Sequence, residues 1–560
     1  MSGVVQSTPE RAIAAFVGAA VGDALGWPQE PRGGLVGGKR ARTMRSPVPE
    51  FSAWPRNAGS RFLRYQELVR PGEYSDDTQL LLAVARACLH RDWRARLIET
   101  ELPSWLVYQR GGGRAVLTAA NSWASGRPPW QARPDSRGQS PDSYFVAGAN
   151  GAAMRIAPHV LRTLADGSEE ELRRRVVADA TLTHGHPRAI VGALCLAAGM
   201  WSALTARVPL RQDDLIDAAY SALVPLDAVA DAFPDGWTDP SREEWFAETW
   251  HVTLGEMADL LRTASRSLQR GIMSNVTDTL NSLGATGQYS GSGTNSVAAA
   301  LYLASRAGSR PMSGLLQAAF EPDIDTDTVA SMAGSLLGAT HGMRWLEPLL
   351  DVQDMRYIAD LAGQLLGSSS NRPSVGTPVT TRAFNRELDH GDMGGVFPDG
   401  RDYTVVEREM IGEDPWVIRH RLGLSDGQTV IVDRVRRTPP ESPHARPTRP
   451  RPSENPIAQV TLATRSLSAT RAFYKELVGD ALAVTRDGAI ALGEHVLFVE
   501  VSASKQTWAP DAQVTIHVDD TTDLAARLPG ARERADGSVL VTDPDGRLVV
   551  LLPRASRGKP

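Results

Sequence analysis

Apolar residues first recur at helical spacing at Ile13, Phe16, Val17, Ala20 and Val21, and the same pattern returns far along the chain at Val329, Met332, Ala333, Leu336 and Leu337. Both stretches predict buried helices. Each also carries a small residue at every fourth position: Ala14, Gly18, Gly22 and Gly26 in the first, Ala330, Gly334, Gly338 and Gly342 in the second. A glycine inside a helix costs up to about 1 kcal/mol relative to alanine, so such rows ask for a compensating contact. Close approach of helix backbones along i, i+4 ridges supplies one; a generally alanine- and glycine-rich composition is the bland alternative. A third row, Ala189, Ala193 and Ala197, follows Pro187, a residue suited to the first turn of a helix.

From about Ser368 to Arg437 the helical pattern gives way to alternating runs, Tyr403 to Val406 and Thr429 to Val435, with Gly427 supplying a turn before the second. About a third of residues 438–456 are proline, interleaved with arginine and serine, which predicts an extended tether. Beyond it the pattern is weakly duplicated. A strand at Ala458 to Ala463, a helix at Ser468 to Leu477 and three short strands ending near Glu500 are echoed by Val514 to Val518, Thr522 to Leu528 and strands ending at Leu552. The expected division is therefore a helical domain over 1–367, a β-rich connecting region over 368–437 without assigned function, a linker over 438–456 and a small domain over 457–560.

At 560 residues the chain exceeds one core. Its 42% hydrophobic and 22% charged residues are ordinary for a globular protein, and a net charge of -5 gives no basic field that would announce nucleic-acid binding. Two cysteines, Cys88 and Cys195, both in apolar stretches, fit a reducing compartment, so the cytoplasm is expected. The apolar run Ala12 to Leu25 is preceded by Glu10 and Arg11 and interrupted by Asp23, unlike a signal peptide. No stretch of about 18 uncharged apolar residues occurs, and no transmembrane helix is expected.

Two acidic clusters carry the candidate chemistry. Tyr74-Ser75-Asp76-Asp77-Thr78 lies directly before the helical run Gln79 to Leu89, and Asp325-Thr326-Asp327-Thr328 directly before the helix near Val329. A carboxylate at a helix N-terminus can cap free N–H groups and meet the helix dipole, which explains one aspartate per helix. It does not explain two pairs. Adjacent carboxylates repel unless a cation intervenes, and carboxylate and hydroxyl oxygens suit magnesium or manganese rather than zinc.

Five segments taken in order carry a family resemblance: Gly18-Ala-Ala-Val-Gly-Asp-Ala-Leu-Gly-Trp-Pro-Gln-Glu30, Gly72-Glu-Tyr-Ser-Asp-Asp-Thr-Gln-Leu80, Gly148-Ala-Asn-Gly-Ala-Ala-Met-Arg155, Thr183-His-Gly-His-Pro187 and Asp325-Thr-Asp-Thr-Val-Ala330. They resemble the successive motifs of the ADP-ribosylglycohydrolases. The resemblance implies an all-α domain with a binuclear magnesium centre in a cleft at helix ends, manganese being the alternative ion. It implies Ser75, Asp76, Asp77, Asp325, Asp327 and Thr328 as metal ligands. Glu30 matches an acid on a mobile segment near the scissile bond; read without the motif it is an exposed loop acid. Gly148, Asn150, Gly151, Met154, Arg155 and His184 match ligand-contacting positions, while His186 reads as a surface residue beside a proline turn. One departure stands out: Gln109-Arg-Gly-Gly-Gly-Arg114 lacks the aspartate some members carry there, which puts covalent or ring-opening mechanisms in doubt.

The implied activity is magnesium-dependent hydrolysis at ribose C1 of an ADP-ribosylated protein or other ADP-ribosyl substrate, with Glu30, Asp76 or Asp77 as acid/base. A non-catalytic ADP-ribose binder and a hydrolase of a related small molecule are the alternatives. In the last domain, Ala472-Phe473-Tyr474 and Asp543-Pro-Asp-Gly546 resemble the vicinal oxygen chelate (glyoxalase/bleomycin resistance) superfamily, implying an α+β domain of paired βαβββ units. Positions matching that family's metal ligands hold Gln459, Gln513 and Val550, so a catalytic metal is not expected there; His517 reads as a strand residue. A metabolite-sensing or interaction module, able to dimerise, is the expectation.

Overall fold

The computed structural model describes residues 8–30, 47–60, 62–132, 140–237, 240–367 and 376–437, and in the C-terminal part 460–464, 466–478, 482–484, 490–492, 496–500, 513–518, 527–528, 530–534, 538–544 and 548–553. The chain divides into two units, Met1–Glu441 and Ser442–Pro560.

In the first unit the principal helices are α1 (Thr8–Gly26), α2 (Asp76–Cys88), α3 (Ala157–Asp166), α4 (Glu169–Ala180), α5 (Pro187–Thr205), α6 (Pro240–Gln269), α7 (Gly293–Ala307) and α8 (Thr326–His341). The two glycine rows face one another. A Cβ on Gly18 would stand 2.3 Å from the Gly334 carbonyl oxygen, one on Gly22 2.0 Å from that of Ala330, and one on Gly338 2.1 Å from that of Ala14. Backbone thus meets backbone along the whole α1/α8 crossing, which is the physical reason for the rows. The third small-residue helix crosses α7 in the same manner, with Gly192 on Gly293 and Gly293 on Ala189. Although α5 is long and apolar enough to cross a membrane, 78% of its apolar window is buried inside the protein, as befits a core helix.

The region that sequence alone left unassigned is part of this unit. It begins with a helix the alternation did not reveal, Thr381–His390, capped by Thr380 through Ala383 N–H and ended by Gly391 at φ 88°. Only Phe384 and Leu388, one turn apart, bury its inner face, too few positions to register as a period. A four-stranded antiparallel sheet follows in the order β3 (Gly394–Val396), β4 (Asp402–Glu413), β5 (Trp416–Leu424), β6 (Thr429–Arg436). Its inner residues Phe397, Tyr403, Leu422, Val430 and Val432 belong to the same hydrophobic cluster as the helices.

Buried ion pairs tie the sheet to the hairpin of β1 (Trp54–Ser60) and β2 (Leu63–Val69). Glu67, fully buried, is met by Arg56, by Arg110 at 3.0 Å and by Arg419 of β5; Glu73 is met by Arg110 at 2.8 Å and by Arg421 of β5. Burial works to raise both acids, yet the surrounding guanidinium groups dominate, holding Glu73 below the ordinary range and Glu67 at about 2.

The C-terminal unit contains two four-stranded sheets of one topology. In the first, Val460–Thr464 pairs in parallel with Val496–Glu500, followed by Ile490–Leu492 and Leu482–Val484; in the second, Gln513–Val518 pairs in parallel with Leu548–Pro553, followed by Val539–Thr542 and Arg532–Glu533. The duplication read from the sequence corresponds to these like sheets. The helix Leu467–Val478 sits in the first repeat; most of Thr522 to Leu528 and Gln459 lie outside the described residues.

Candidate active site

The site is assembled where α1 ends and α2 and α8 begin. Asp23, an acid in an otherwise apolar stretch of α1, is fully buried and accepts from the Ser75 N–H at 3.0 and 3.1 Å, the Thr78 N–H at 3.0 Å and the Thr78 hydroxyl at 2.6 Å. It thereby fixes the first turn of α2, where Ser75 caps the Asp77 N–H at 3.2 Å and Asp76 and Asp77 occupy the end of the helix that favours negative charge. At the other side a Cβ on Gly26 would stand 2.2 Å from the Thr326 carbonyl oxygen, and the Thr326 hydroxyl donates to the Gly26 carbonyl at 2.9 Å. This contact sets the start of α8 against the end of α1.

Both acidic clusters therefore meet. The Thr328 hydroxyl donates to Asp77 Oδ2 at 3.3 Å, and Glu30, Asp325 and Asp327 each offer an oxygen within 4.8 Å of the other two. A cavity of about 130 Å³ is lined by Glu30, Asp76, Asp77, Asn150, Gly151, Met154, His184, Asp325, Asp327 and Thr328, together with Gly111 and Gly113 to Val116. It adjoins a cleft of about 1020 Å³, with Arg114, Ala115 and Ala149 shared between the two walls.

The electrostatics are those of uncompensated anions. Burial, reinforced by Asp23 and Asp325, lifts Asp76 to about 7; Asp77 is pushed well up by burial and then by Asp23, Asp76 and Asp325, Asp327 by burial and then by Glu30, Asp325 and Asp77, and Asp325 rises by burial against the hydrogen bond from Asn150. Among the described residues no ion pair joins Asp76, Asp77, Asp325 or Asp327 to a cation, and Asp77 Oδ1 is buried without a hydrogen-bond partner. Crowded hard oxygens with one left unsatisfied fit a divalent cation.

The remaining predicted residues separate by role. Asn150 donates to Asp325 Oδ2 at 2.7 Å and to the Ser296 hydroxyl at 3.2 Å, so it orients an acid as well as lining the cavity. Gly151 is required by space, since a Cβ there would press on the His184 ring at 3.1 Å. Gly148 lines the larger cleft. Ser75 and Arg155 stand behind the cavity wall. The Ser75 hydroxyl is occupied within the α2 cap, and Arg155, fully buried, is consumed by Asp179 at 2.9 Å, the Thr183 hydroxyl at 3.0 Å and the Gly151 carbonyl at 3.4 Å. Arg155 thus holds the ligand loop in place from inside. His186, expected at the surface, is half-buried, caps α5 by accepting from the Arg188 N–H at 3.2 Å and forms part of the cleft wall.

That chain of contacts fixes the state of His184. Arg155 can only donate, so the Thr183 oxygen accepts from it, and the arrangement that also gives the Thr183 hydrogen a partner among the described residues directs it to His184 Nδ1 at 2.7 Å. Nδ1 is then the acceptor, and Nε2, buried and without a partner among the described residues, carries the hydrogen beside the cavity. Burial and the Arg155 charge depress the imidazole to about 3, so it stays neutral. Sequence reasoning missed two supports. Asp23 was visible only as a break in an apolar run, and Gly111, at φ 102°, has room for no Cβ because Asp76 Oδ1 would lie 2.8 Å away.

The ADP-ribosylglycohydrolase family model matches residues 5–374. An ADP-ribosyl-[dinitrogen reductase] glycohydrolase of Rhodospirillum rubrum is 31% identical over 203 residues, which is 34% of this chain and 57% of that protein; the match thus spans little more than half of the curated relative. Among solved structures, an ADP-ribosylglycohydrolase-related protein complex aligns over 65% of this chain and 99% of its own at 21% identity and a TM-score of 0.39. A virulence protein of Salmonella typhimurium aligns over 18% of this chain and 98% of its own at 22% identity and a TM-score of 0.14. With two thirds of its length matched by the family model and the motif residues gathered at one cavity, the chain belongs to the ADP-ribosylglycohydrolase family.

Proposed function

We propose that the first unit is a magnesium-dependent hydrolase that releases ADP-ribose from a modified substrate by cleaving the bond at ribose C1. The observation that carries this reading is the convergence of four buried aspartates from the starts of two helices, Asp76, Asp77, Asp325 and Asp327, all raised first by burial and, for Asp76, Asp77 and Asp327, also by neighbouring carboxylates. Two magnesium ions, or manganese, would be held by these aspartates with Thr328, and by Ser75 if its hydroxyl leaves the α2 cap. When bound they supply an acidified water and a clamp for a ribose diol.

The chain's own residues do the rest. Asp23 keeps Asp76 and Asp77 aimed by holding the α2 backbone, and Asn150 keeps Asp325 aimed. Glu30, on the segment leaving α1, is placed beside Asp325 and Asp327 to hand a proton to the departing group or take one from the attacking water. His184 presents an N–H, without charge, to a ligand oxygen. Carboxylates around the cavity favour the positive charge that builds on the sugar as the C1 bond breaks. The adjoining cleft would take the remainder of the substrate; an ADP-ribosylated protein is the substrate class suggested by the Rhodospirillum rubrum relative, a glycohydrolase of ADP-ribosyl-[dinitrogen reductase].

The test is release of ADP-ribose from arginine-linked, serine-linked and nucleic-acid-linked substrates with magnesium and with EDTA. Magnesium-dependent release lost in Asp325→Asn supports the proposal. Stabilisation by magnesium and ADP-ribose with no release from any substrate would favour a binder instead.

For the C-terminal unit we propose a vicinal oxygen chelate-like module that binds a small molecule or a second chain without a catalytic metal. Val550, a buried apolar residue where that superfamily places an acid, supports the lack of metal chemistry. Sedimentation of the full chain and of Met1–Glu441 tests the pairing.

A further inference from the structure

At the opposite end of α2 from Asp76 and Asp77 lies a second cluster of reactive groups that the hydrolase chemistry does not use. Cys88 closes the helix, and its Sγ is 3.4 Å from Nδ1 of His159 on α3; Nε2 of that ring is 3.2 Å from Asp179 Oδ2 on α4. Asp179 also pairs with Arg155 at 2.9 Å, and the ionised carboxylate can only accept. His159 Nε2 therefore carries the hydrogen toward Asp179, which leaves the Nδ1 lone pair facing the thiol. A nucleophile, a base and a group that orients the base stand in line. The Arg175 guanidinium is 3.6 Å from the sulfur and stacks over Trp93, whose ring in turn packs edge-on against His159 at 4.6 Å.

We infer that Cys88 is a site of covalent modification by hydroperoxides, with His159 as its base and Arg175 as the neighbouring cation. In the step, His159 Nδ1 takes the thiol proton and the sulfur electron pair attacks the hydroxyl-bearing peroxide oxygen. The S–O bond forms as the O–O bond breaks, and the departing oxygen takes the proton from Nδ1, leaving as water or an alcohol. Sulfur loses two electrons to the peroxide and becomes a sulfenic acid. Cys88 is buried, with 3% of its surface exposed, so hydrogen peroxide is the smallest and best suited of such reagents. The geometry is supported by the state of His159: burial opposes its protonation, yet Cys88 and Asp179 together hold it above its ordinary value.

The other cysteine is a control within the same molecule. Cys195 is fully buried in α5, donates to the Ala219 carbonyl at 3.4 Å, and has its thiol pushed up by burial alone. The experiment treats the reduced, folded full-length chain with hydrogen peroxide, removes the peroxide, then unfolds the chain in urea containing a cyclic 1,3-diketone so that trapping of sulfenic acid needs no access to the folded site, and locates the adduct by peptide mass. The expected result is labelling of Cys88 at least about tenfold faster than Cys195, and a loss of at least about tenfold in that rate in His159→Gln. Arg175→Met, at a partly exposed side chain, should slow labelling several-fold and decides the matter should His159→Gln fail to fold. Equal labelling of the two cysteines, labelling of Cys88 only when the peroxide itself is added in urea, or unchanged rates in a folded His159→Gln or in Arg175→Met would overturn the assignment.

Discussion

The same substitution should have opposite signs at two helical glycines. In Gly22→Ala the new methyl would stand 2.0 Å from the Ala330 carbonyl oxygen and 2.8 Å from the Ser331 nitrogen, where real contacts do not fall below 3.0 Å. The helices α1 and α8 must then part by about 1 Å in an interior packed like a crystal. A gap of that size forfeits about a quarter to a half of each dispersion contact along the crossing, and overpacking typically costs about 1 to 3 kcal/mol, most where backbone is the obstacle. Against it alanine gains up to about 1 kcal/mol of helix propensity. The net expectation is a loss of about 2 kcal/mol. Gly255, on the exposed face of α6, has nothing within 4 Å of a built Cβ, so Gly255→Ala should instead stabilise by up to about 1 kcal/mol. Urea unfolding followed by helical circular dichroism compares the midpoints. A Gly22→Ala midpoint at or above wild type would refute the backbone-on-backbone contact. So would a parallel shift of the two variants, because propensity alone would then explain both.

Further outcomes are expected at the site and its supports. Asp77→Asn should abolish turnover, by at least about a hundredfold, while stabilising the metal-free protein, which the initial rate and an unfolding midpoint in EDTA will read. The sign with pH follows from the raised acids. Asp76 at about 7, with Asp23, Asp77, Asp325 and Asp327 also raised, keeps protons in the folded chain that the unfolded chain has already released. The contribution of each is intact below about pH 4 and is lost as pH climbs toward its raised folded value, which for Asp76 is about 7. In EDTA the advantage of Asp77→Asn over wild type should therefore grow from pH 5 to pH 8, and magnesium should stabilise wild type more at pH 8; a constant difference would contradict the assignment. Residues 1–441 should fold and hydrolyse alone, whereas a cut after residue 375, near the end of the family match, should not yield folded protein. That cut removes Arg419 and Arg421 from the buried Glu67 and Glu73, leaving them only Arg56 and Arg110, and strips Phe384, Phe397, Tyr403, Leu422 and Val430 from the core, where loss of each large apolar side chain costs about 2 to 5 kcal/mol; a cooperative unfolding transition in residues 1–375 would argue against it.

The glycine rows and the presence of an acidic cluster at the N-terminus of each of two helices were legible in the sequence, because each depends on residue type and short spacing alone; the helices begin about three residues earlier than the apolar period indicated, so that the acids form the first turn. Asp76-Asp77 and Asp325-Thr326-Asp327 announce their chemistry by crowding like charges, whatever surrounds them. Their meeting was not legible: it rests on the α1/α8 crossing, in which Gly26 touches Thr326 across 300 residues. The part of Arg155 also needed the fold, since a buried guanidinium that serves Asp179 and one that greets a ligand look alike until its neighbours are known. The sheet of residues 394–436 was visible only as alternating strands. Its membership of the catalytic unit is decided by Arg419 and Arg421 reaching buried acids on and just after the hairpin, an electrostatic demand no local pattern records. Spacing along one chain sets which groups a helix or strand presents, but long-range packing alone decides which charges must share a low-dielectric interior.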